Sequence, residues 1–178
     1  AAGEPLSFKQ ADIQRKGWAI ECRINAEDPL RGFLPSTGRL VKFEPPTTNL
    51  EAAVSANAFG VRVDTGVYEG GEIPIYYDSM IAKLIVHGAD RTDAIARMRE
   101  ALNAFVIRGI SSNIAFQAAL LNHPLFVAGQ FNTGFIAQQF PVGFKGAEHG
   151  EDNTELLICA AAVIHRRMRE RAVGISGQ

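Results

Sequence analysis

The chain has 178 residues, of which 47% are hydrophobic and 21% are charged, and its formal net charge is -1. This composition is typical of a globular domain with a buried core, and it excludes disorder along the whole length. The near-neutral charge, without a basic stripe studded with aromatic residues, argues against a nucleic-acid partner. No apolar run has the length of a membrane span, so we expect no membrane partner either.

The two cysteines, Cys22 and Cys159, lie far apart in the sequence. Their spacing matches no metal-ligand pattern, so we expect neither a disulfide framework nor a metal site. A reducing compartment fits best. The amino terminus begins without Met and lacks the features of a signal peptide, so we expect a piece of a longer chain.

The first half of the sequence predicts short strands joined by turns. A short polar helix over residues 10–16 is followed by WAIECRINAE, which alternates apolar and polar residues as a half-buried strand does. The stretch RLVKFEPP predicts another strand, and residues 47–59 fit a loop or one helical turn. GVRVDTGVYEGGEIPIYY predicts two strands of a hairpin around a turn at residues 69–72, where Gly70 and Gly71 accept a positive φ.

Residues 73–88, IPIYYDSMIAKLIVHG, predict a core strand that carries polar groups. Asp78 and Ser79 lie at its entrance, and alternation places Lys83 and His87 on one of its faces. A carboxylate and a hydroxyl that become covered must find hydrogen-bond partners. This stretch is therefore either a polar lock of the fold or one wall of a site.

After Gly88 the apolar period changes from two to 3.6, which predicts a helix capped by Asp90. Further helices are predicted over residues 112–122, after Pro124, and in NTGFIAQQF. Strands followed by helices favour an α+β fold with an antiparallel sheet and a group of helices on one side. Residues 141–152 read as a linker, and a C-terminal extension helix begins at residue 153 and ends before Gly174.

Few residues stand out as chemical candidates from pattern alone. Glu21 and Arg23 share one strand face and could bind a ligand, but a cross-strand ion pair on a solvated face is the better explanation. By strand position Arg62 is a surface arginine, and Lys83 and His87 are residues of an edge strand. No glycine loop for phosphate, catalytic triad or carboxylate cluster is present, so no catalytic residue is assigned.

Several stretches nevertheless resemble a known family. GWAIECRINAEDP, FLPSTGRL, GVRVDTGVYEG, YYDSMIAKLIVHGADRTDAIARM and GISSNI occur in the order and spacing of the carboxyl-terminal domain of biotin carboxylase. The resemblance covers residues 1–140. Within the acyl-CoA carboxylases, GWAIE, VIRGISSNIAF and FPVGFKG are most similar to alpha subunits of propionyl-CoA carboxylases.

The resemblance implies a ligase activity that uses ATP and bicarbonate to form carboxyphosphate and then carboxylates a ring nitrogen of carrier-bound biotin. The implied cofactors are biotin on a carrier domain, ATP and Mg²⁺. The implied partners are the biotin carboxyl carrier domain, the carboxyltransferase (beta) subunit and the rest of the chain's own subunit. Because the ATP-grasp region would precede this sequence, we expect the chain alone to bind no cofactor and to be inactive.

The resemblance also assigns roles to individual residues. Arg62, in GVRVD, falls on the family's biotin-contacting arginine, and a permanently charged guanidinium could stabilise the oxygen of a biotin enolate. Asp78, Ser79 and Lys83 match YDSM and the lysine after it, and we interpret them as a polar lock behind the arginine strand. Thr133, in NTGF, aligns with a position beside the adenine pocket.

The expected organisation is a biotin carboxylase C-terminal domain over residues 1–140, a linker over 141–152, and the first helix of a subunit-contacting domain over 153–178. Nine consecutive apolar residues, 156–164, predict that this helix is enclosed, and we expect self-association through 153–172. The alternative is an independent structural or assembly module without biotin chemistry, in which Arg62 and the YDSM strand are purely structural.

Overall fold

The structure is a computed structural model, and it describes residues 3–48, 60–76, 78–146 and 154–175. The chain divides into two compact units, Ala1–Gly146 and Ala147–Gln178, which we describe separately. Most of the predicted loop over residues 47–59 lies outside the described residues. None of the helices that the structure describes combines the length and apolar character needed to cross a bilayer.

The described part of the first unit is an α+β fold of short antiparallel strands and helices. Its strands are β1 (Trp18–Asn25), β2 (Glu27–Asp28), β3 (Leu34–Pro35), β4 (Gly38–Arg39), β5 (Lys42–Glu44), β6 (Val61–Thr65), β7 (Glu72–Ile73), β8 (Met80–Gly88) and β9 (Val106–Arg108). Its helices are α1 (Arg91–Ala104), α2 (Ile114–Asn122), α3 (Pro124–Val127) and α4 (Phe135–Gln139), and the second unit contains α5 (Thr154–Ile175).

The largest sheet has three antiparallel strands in the order β1-β8-β6. β8 is therefore the central strand of this sheet, and the expectation that Lys83 and His87 belong to an edge strand is wrong. The remaining strands form two-stranded ladders, which pair β2 with β3, β4 with β7, and β5 with β9. These ladders include strands that the sequence patterns missed, among them β3 and the three residues of β9.

One face of the three-stranded sheet is buried beneath the helices, because apolar residues alternate toward it. Leu84 in β8 lies opposite Cys22 in β1 and Val63 in β6. Met98 and Leu102 of α1 belong to the same hydrophobic core as Leu84. Burying each large apolar side chain stabilises the fold by at most about 1.5 to 3 kcal/mol, which makes this layer the main source of stability.

The helices begin largely where the sequence predicts. Asp90 caps α1 by accepting a hydrogen bond from the Asp93 backbone N–H at 2.9 Å. The predicted helices over residues 112–122, after Pro124 and in NTGFIAQQF correspond to α2, α3 and α4. Buried residues of α1 and α2 share one core with the sheet, which accords with the predicted helical layer.

The predicted hairpin over residues 61–77 is wrong, because its two strands pair with other strands. β6 pairs with β8, and β7 pairs with β4. The turn forms as expected, with the Gly71 N–H donating to the Tyr68 carbonyl at 3.0 Å, but Gly70 and Gly71 also exchange hydrogen bonds with Leu40. β6 gains more by burying its valines beside long β8 than by pairing with a two-residue strand.

Other boundaries also differ from the sequence patterns. The predicted helix over residues 10–16 is a single 3-10 turn, Gln10–Asp12, with no buried residue to anchor a longer helix. The polar strand predicted from residue 73 begins only at Met80, because Ile75 and Tyr76 form a turn. The stretch RLVKFEPP divides between β4 and β5, and α5 continues past Gly174 to Ile175.

The second unit is described by α5. The described side chains of this helix, residues 158–170, are all exposed, and they include large apolar groups. Ile158, Ile164 and Met168 are among them. Arg166 donates to Glu170 at 2.8 Å, one turn further along the helix. Residue 153, the predicted start of this helix, lies outside the described residues.

Candidate functional site

The three-stranded sheet presents a second face, opposite the core, on which charged side chains lie in register. In one row Lys83 lies between Arg23 and Asp64, and in the next Ile85 lies between Glu21 and Arg62. We call this surface the open face and define it by five charged residues: Glu21, Arg23, Arg62, Asp64 and Lys83. Residues distant in sequence thus form one compact array with three cations.

Arg62, the arginine singled out by the sequence, is ion-paired within its own strand. Its Nη2 atom donates to Asp64 Oδ2 at 3.1 Å, and the two side chains are 55% and 50% exposed. Exposed pairs of this kind contribute about 0 to 1 kcal/mol to stability, so the pair is no structural necessity. It does, however, occupy part of the Arg62 guanidinium.

Arg23, on the opposite outer strand, has the freer guanidinium. Its Nε atom is 3.7 Å from Glu21 Oε1, which is too far for a hydrogen bond, and its side chain is 68% exposed. This ion pair runs along β1, so the expected cross-strand pair is wrong. Among the residues that the structure describes, the Arg23 guanidinium has no hydrogen-bond partner, and it can accept an anion without first breaking one.

Lys83 lies half-buried between these two arginine strands. Its ammonium makes no ion pair or hydrogen bond within the described ranges. A cleft of 350 Å³ opens at this end of the sheet, lined by Lys83, Asp64, Thr65 and Met80 among others. That volume is at the small end of the range for sites that bind small molecules.

Ser79 joins the start of β8 to the segment that follows β1. Its hydroxyl donates to Glu27 Oε1 at 2.5 Å, and its carbonyl accepts from the Ala26 N–H at 2.7 Å. The Asn25 Nδ2 group donates to the same Glu27 oxygen at 3.1 Å. Ser79 therefore has the contacts of a polar lock, and its partner Glu27 was not foreseen from the sequence.

The other two residues of the expected lock have different surroundings. Asp78 is exposed, and its Oδ1 atom accepts from the Met80 N–H, at 3.1 Å, within its own turn. Lys83 belongs to the open face, and among the described residues it has no hydrogen bond to Ser79 or Glu27. The three residues of the expected lock therefore lie in different surroundings.

Thr133 lies apart from these groups. It is exposed in the turn before α4, where Asn132 Oδ1 accepts from the Gly134 N–H at 2.8 Å. No strand of the open face includes it. Over the described part of the chain, no group of three or more His, Cys, Asp or Glu residues could hold a metal ion.

The start of α2 supports β1 at Arg23. Asn113 and Gln117 both donate side-chain hydrogen bonds to the Arg23 carbonyl, at 3.0 and 2.5 Å. Sequence patterns identified neither residue, because an Asn before a helix and a Gln within one are ordinary local choices. Only the tertiary arrangement brings them to the strand.

Cys22 lies on the other side of β1, in the core. Burial raises the pKa of its thiol to about 12, and the neighbouring Glu21 carboxylate adds to the effect. A thiol with this pKa stays protonated at neutral pH and is a poor nucleophile. The chemistry that this region can offer is therefore binding and orientation of an anion by fixed cations.

A three-stranded antiparallel sheet backed by helices, with charged side chains in register on its other face, places this unit among the α+β domains. Comparison with known proteins identifies the family. The profile of the biotin carboxylase C-terminal domain matches residues 21–138, and the chain belongs to this family.

The similar proteins include propionyl-CoA carboxylase alpha chains and a biotin carboxylase. The propionyl-CoA carboxylase alpha chain of Ruegeria pomeroyi is 45% identical over 188 residues, covering 100% of this chain and 28% of its own length. The mitochondrial alpha chain of Homo sapiens is 44% identical over 95% of this chain. Biotin carboxylase 1 of Bacillus subtilis is 51% identical but covers only 76% of this chain.

Solved structures agree with the fold. The biotin carboxylase domain dimer of Hydrogenobacter thermophilus 2-oxoglutarate carboxylase, in complex with MgADP, ADP and bicarbonate, matches with a TM-score of 0.69. The sequences are 39% identical over this match, which covers 78% of this chain and 28% of that one. The chain therefore spans less than a third of the length of these relatives.

Proposed function

We propose that this chain contributes part of the biotin-binding wall in the biotin carboxylase component of an acyl-CoA carboxylase, most similar to the propionyl-CoA type. The observation that carries the proposal is the open face, in a chain that belongs to the biotin carboxylase C-terminal domain family. In this role the whole subunit is a ligase, and carrier-bound biotin is the carboxyl acceptor.

The residues of the open face suit an acceptor that carries a polarised carbonyl oxygen and reacts with an anionic carboxyl donor. A guanidinium stays charged at every physiological pH and offers directional N–H donors. Such fixed donors stabilise negative charge that develops during a reaction. When bound, biotin supplies the nitrogen to be carboxylated, and the chain's own residues hold and orient it.

Two arginines are candidates for the biotin contact. The resemblance points to Arg62, whose guanidinium donates to Asp64 in an exposed ion pair that is easily exchanged for a ligand. Arg23 has no hydrogen bond to give up and lies beside Lys83 in the register of the sheet, so it can hold the same ligand. We therefore assign the contact to Arg62 and Arg23 together.

We assign nucleotide binding to parts of the subunit outside this chain. The described residues lack a carboxylate cluster for Mg²⁺, so we propose that ATP and Mg²⁺ bind mainly outside them. Thr133 is exposed, so its side chain is available to contact a nucleotide bound by the rest of the subunit. Ser79, through Glu27, maintains the strand that carries Lys83.

We propose that the carboxyl-terminal segment takes part in contacts between subunits. Propionyl-CoA carboxylase alpha chains match this chain almost to its full length, whereas the Bacillus subtilis biotin carboxylase matches only 76% of it. We propose that residues 153–178 begin a subunit-contacting domain that follows a linker, and that the apolar side chains of α5 self-associate when that domain is missing. The proposed partners are the carrier domain, the carboxyltransferase beta subunit and the rest of the subunit.

The proposed compartment follows from the relatives. The similar human alpha chain is mitochondrial, and the similar chains of Ruegeria pomeroyi and Bacillus subtilis are bacterial. We propose the cytoplasm in a bacterium and the mitochondrial matrix in a eukaryote.

A chimaeric enzyme tests the function. In this enzyme, residues 1–140 of the chain replace the aligned segment of Bacillus subtilis biotin carboxylase 1. The 51% identity between the two segments favours correct folding of the chimaera. We expect ATP cleavage that depends on both bicarbonate and biotin. The isolated chain, assayed alongside, is expected to show none.

Nucleotide binding is the control for folding of the chimaera. A chimaera that binds ATP with the parent's affinity but cleaves none in the presence of bicarbonate and biotin would refute the proposed function. Turnover by the isolated chain would refute the proposal that ATP and Mg²⁺ bind mainly outside the described residues.

A further inference from the structure

A cavity of 340 Å³ lies beside the outer strand β1 and the helix α2. Apolar surface predominates in its walls, and Phe33, Phe116 and Phe126 belong to them. The rings of Phe33 and Phe116 meet edge to face, with centroids 4.9 Å apart. A cavity of this volume, with apolar walls and a few polar groups, is typical of a site for a small molecule. Neither the open face nor the polar lock accounts for it.

Asn25, which also lines the cavity, has a buried atom without a partner. Its Nδ2 donates to Glu27 Oε1 at 3.1 Å, and this contact fixes the direction of the amide, because an ionised carboxylate only accepts. The Asn25 Oδ1 atom is buried, and no donor among the described residues reaches it. Unpaired buried acceptors are rare, because they cost free energy that one hydrogen bond would recover.

Two irregularities of the backbone occur at the same cavity. A bulge interrupts the pairing of β1 with β8 between Ile24 and Asn25. Phe33 has a φ of +62°, the one positive φ outside glycine in the described part of the chain. Bulges and bulky residues in this strained conformation concentrate at functional sites. The unpartnered acceptor, the bulge and the strained aromatic residue are separate observations, and all three occur at one cavity.

The unpartnered group is an acceptor, so a ligand of this cavity has to supply the donor. The amides of Asn113 and Gln117, which line the same cavity, direct donors to the Arg23 carbonyl. The carboxylates of Glu21 and Glu27 add further acceptors to the lining. The aromatic walls favour a flat aromatic body, because rings pack well edge to face or with an offset.

We propose that this cavity binds a flat aromatic small molecule that carries an N–H donor. The donor hydrogen-bonds to Asn25 Oδ1 while the ring lies against Phe33 and Phe116. Such a ligand needs no negative charge, unlike the anion that suits the cations of the open face. The inference goes beyond the proposed function and uses neither the Arg23 nor the Arg62 guanidinium, so it stands whether or not the open face binds biotin.

Indole and benzofuran are the probes, because the two molecules have nearly the same shape and only indole carries an N–H donor. Binding is measured from chemical-shift changes of the amide signals during titration of the full 178-residue chain. We expect indole to shift the signals of Asn25, Phe33 and Gln117, with a Kd of about 1 mM or tighter. Benzofuran should bind about tenfold more weakly, because its oxygen cannot donate to Asn25 Oδ1.

Asn25→Leu removes the acceptor and keeps a similar side-chain volume. We expect this variant to bind indole about tenfold more weakly and to lose the preference for indole over benzofuran. Asn103→Leu is the matched control, because it makes the same change at an exposed position of α1 outside the cavity, and it should bind both probes as the unaltered chain does. If Asn25→Leu does not fold, the comparison of the two probes on the unaltered chain decides.

Three results with the isolated chain would overturn the proposal. They are the absence of indole-induced shifts at the cavity residues, equal affinities for indole and benzofuran, and an Asn25→Leu variant that folds and binds indole as tightly as the control.

The chimaeric carboxylase distinguishes a ligand site from a surface that the rest of the subunit covers. The chimaera contains every residue of the cavity, and it should bind indole with the affinity of the isolated chain. Loss of indole binding in the chimaera would mean that other parts of the subunit fill the cavity, and this would also overturn the proposal. Turnover of the chimaera is measured separately, so failure of the proposed function remains distinguishable.

Discussion

Replacing Gly109 by Ala should destabilise the first unit more than the same change at a glycine whose surroundings are open. Gly109 has a φ of +100°, and a Cβ added there would lie 2.1 Å from the Arg39 carbonyl oxygen and 2.9 Å from the Val41 nitrogen. These neighbours are backbone atoms and cannot rotate away. The segment between β9 and α2 would have to shift instead.

The expected loss has two parts. A residue with a Cβ in this conformation costs about 1 to 2 kcal/mol. Moving the segment also breaks the hydrogen bond from the Val41 N–H to the Arg108 carbonyl, 2.9 Å long, which adds about 0.5 to 1.5 kcal/mol because both residues are exposed. We expect Gly109→Ala to lower the free energy of unfolding by about 1.5 to 3.5 kcal/mol.

Gly129→Ala is the matched control. Gly129 also has a positive φ, +74°, but no heavy atom lies within 4 Å of the added Cβ. The control should lose only about 1 kcal/mol. Urea unfolding, followed through the single tryptophan, Trp18 in β1, measures both losses. Equal losses in the two variants would refute the argument from backbone contact.

Three further predictions concern other parts of the chain. At pH 8 a thiol reagent should label exposed Cys159 in the native protein and reach buried Cys22 only on unfolding, and rapid native labelling of both would contradict the burial. The hydrogen bonds from the Arg97 side chain and the Ala89 N–H lower the pKa of the Asp93 carboxyl. The ionised carboxylate therefore stabilises the fold at neutral pH, and this stabilisation is lost as the pH falls below about 4. In Asp93→Asn the free energy of unfolding should depend less on pH in this acidic range, and an unchanged pH dependence would contradict the role of Asp93. Light scattering should show self-association of the full chain but not of a chain that ends at Gly146, whereas two monomers, with freely exchanging amides in α5, would contradict self-association.

Local patterns predicted those parts of the fold that local chemistry determines. Asp90 caps α1, and the 3.6-residue period after it correctly identifies the buried residues Met98 and Leu102. The glycine turn near Gly70 also forms. Local patterns did not predict which strands pair. β6 pairs with β8 because its valines become buried there, and this burial depends on residues distant in sequence.

The candidate site was predictable only in part for the same reason. The alternation of β1 and β6 indicated which side Arg23 and Arg62 face, and both are exposed as expected. That these two strands flank Lys83 follows from the strand order, which no pattern in the sequence specifies. Asn113 could not be recognised, because its amide bonds to residues about 90 positions earlier in the chain.

The most direct test of the account compares three arginine variants in the chimaeric carboxylase. Arg23→Ala and Arg62→Ala change the open face, and Arg99→Ala is the control, because Arg99 is exposed on α1 and outside that face. The quantity measured is kcat for biotin carboxylation together with the KM for ATP.

The account predicts that Arg62→Ala and Arg23→Ala each lower kcat by about a hundredfold at an unchanged KM for ATP, because one fixed charge beside a developing anion contributes about 3 kcal/mol. Arg99→Ala should leave kcat unchanged. A loss confined to one of the two open-face variants would assign the biotin contact to that arginine alone. If both open-face variants turn over as fast as Arg99→Ala, the open face is not the biotin-binding wall.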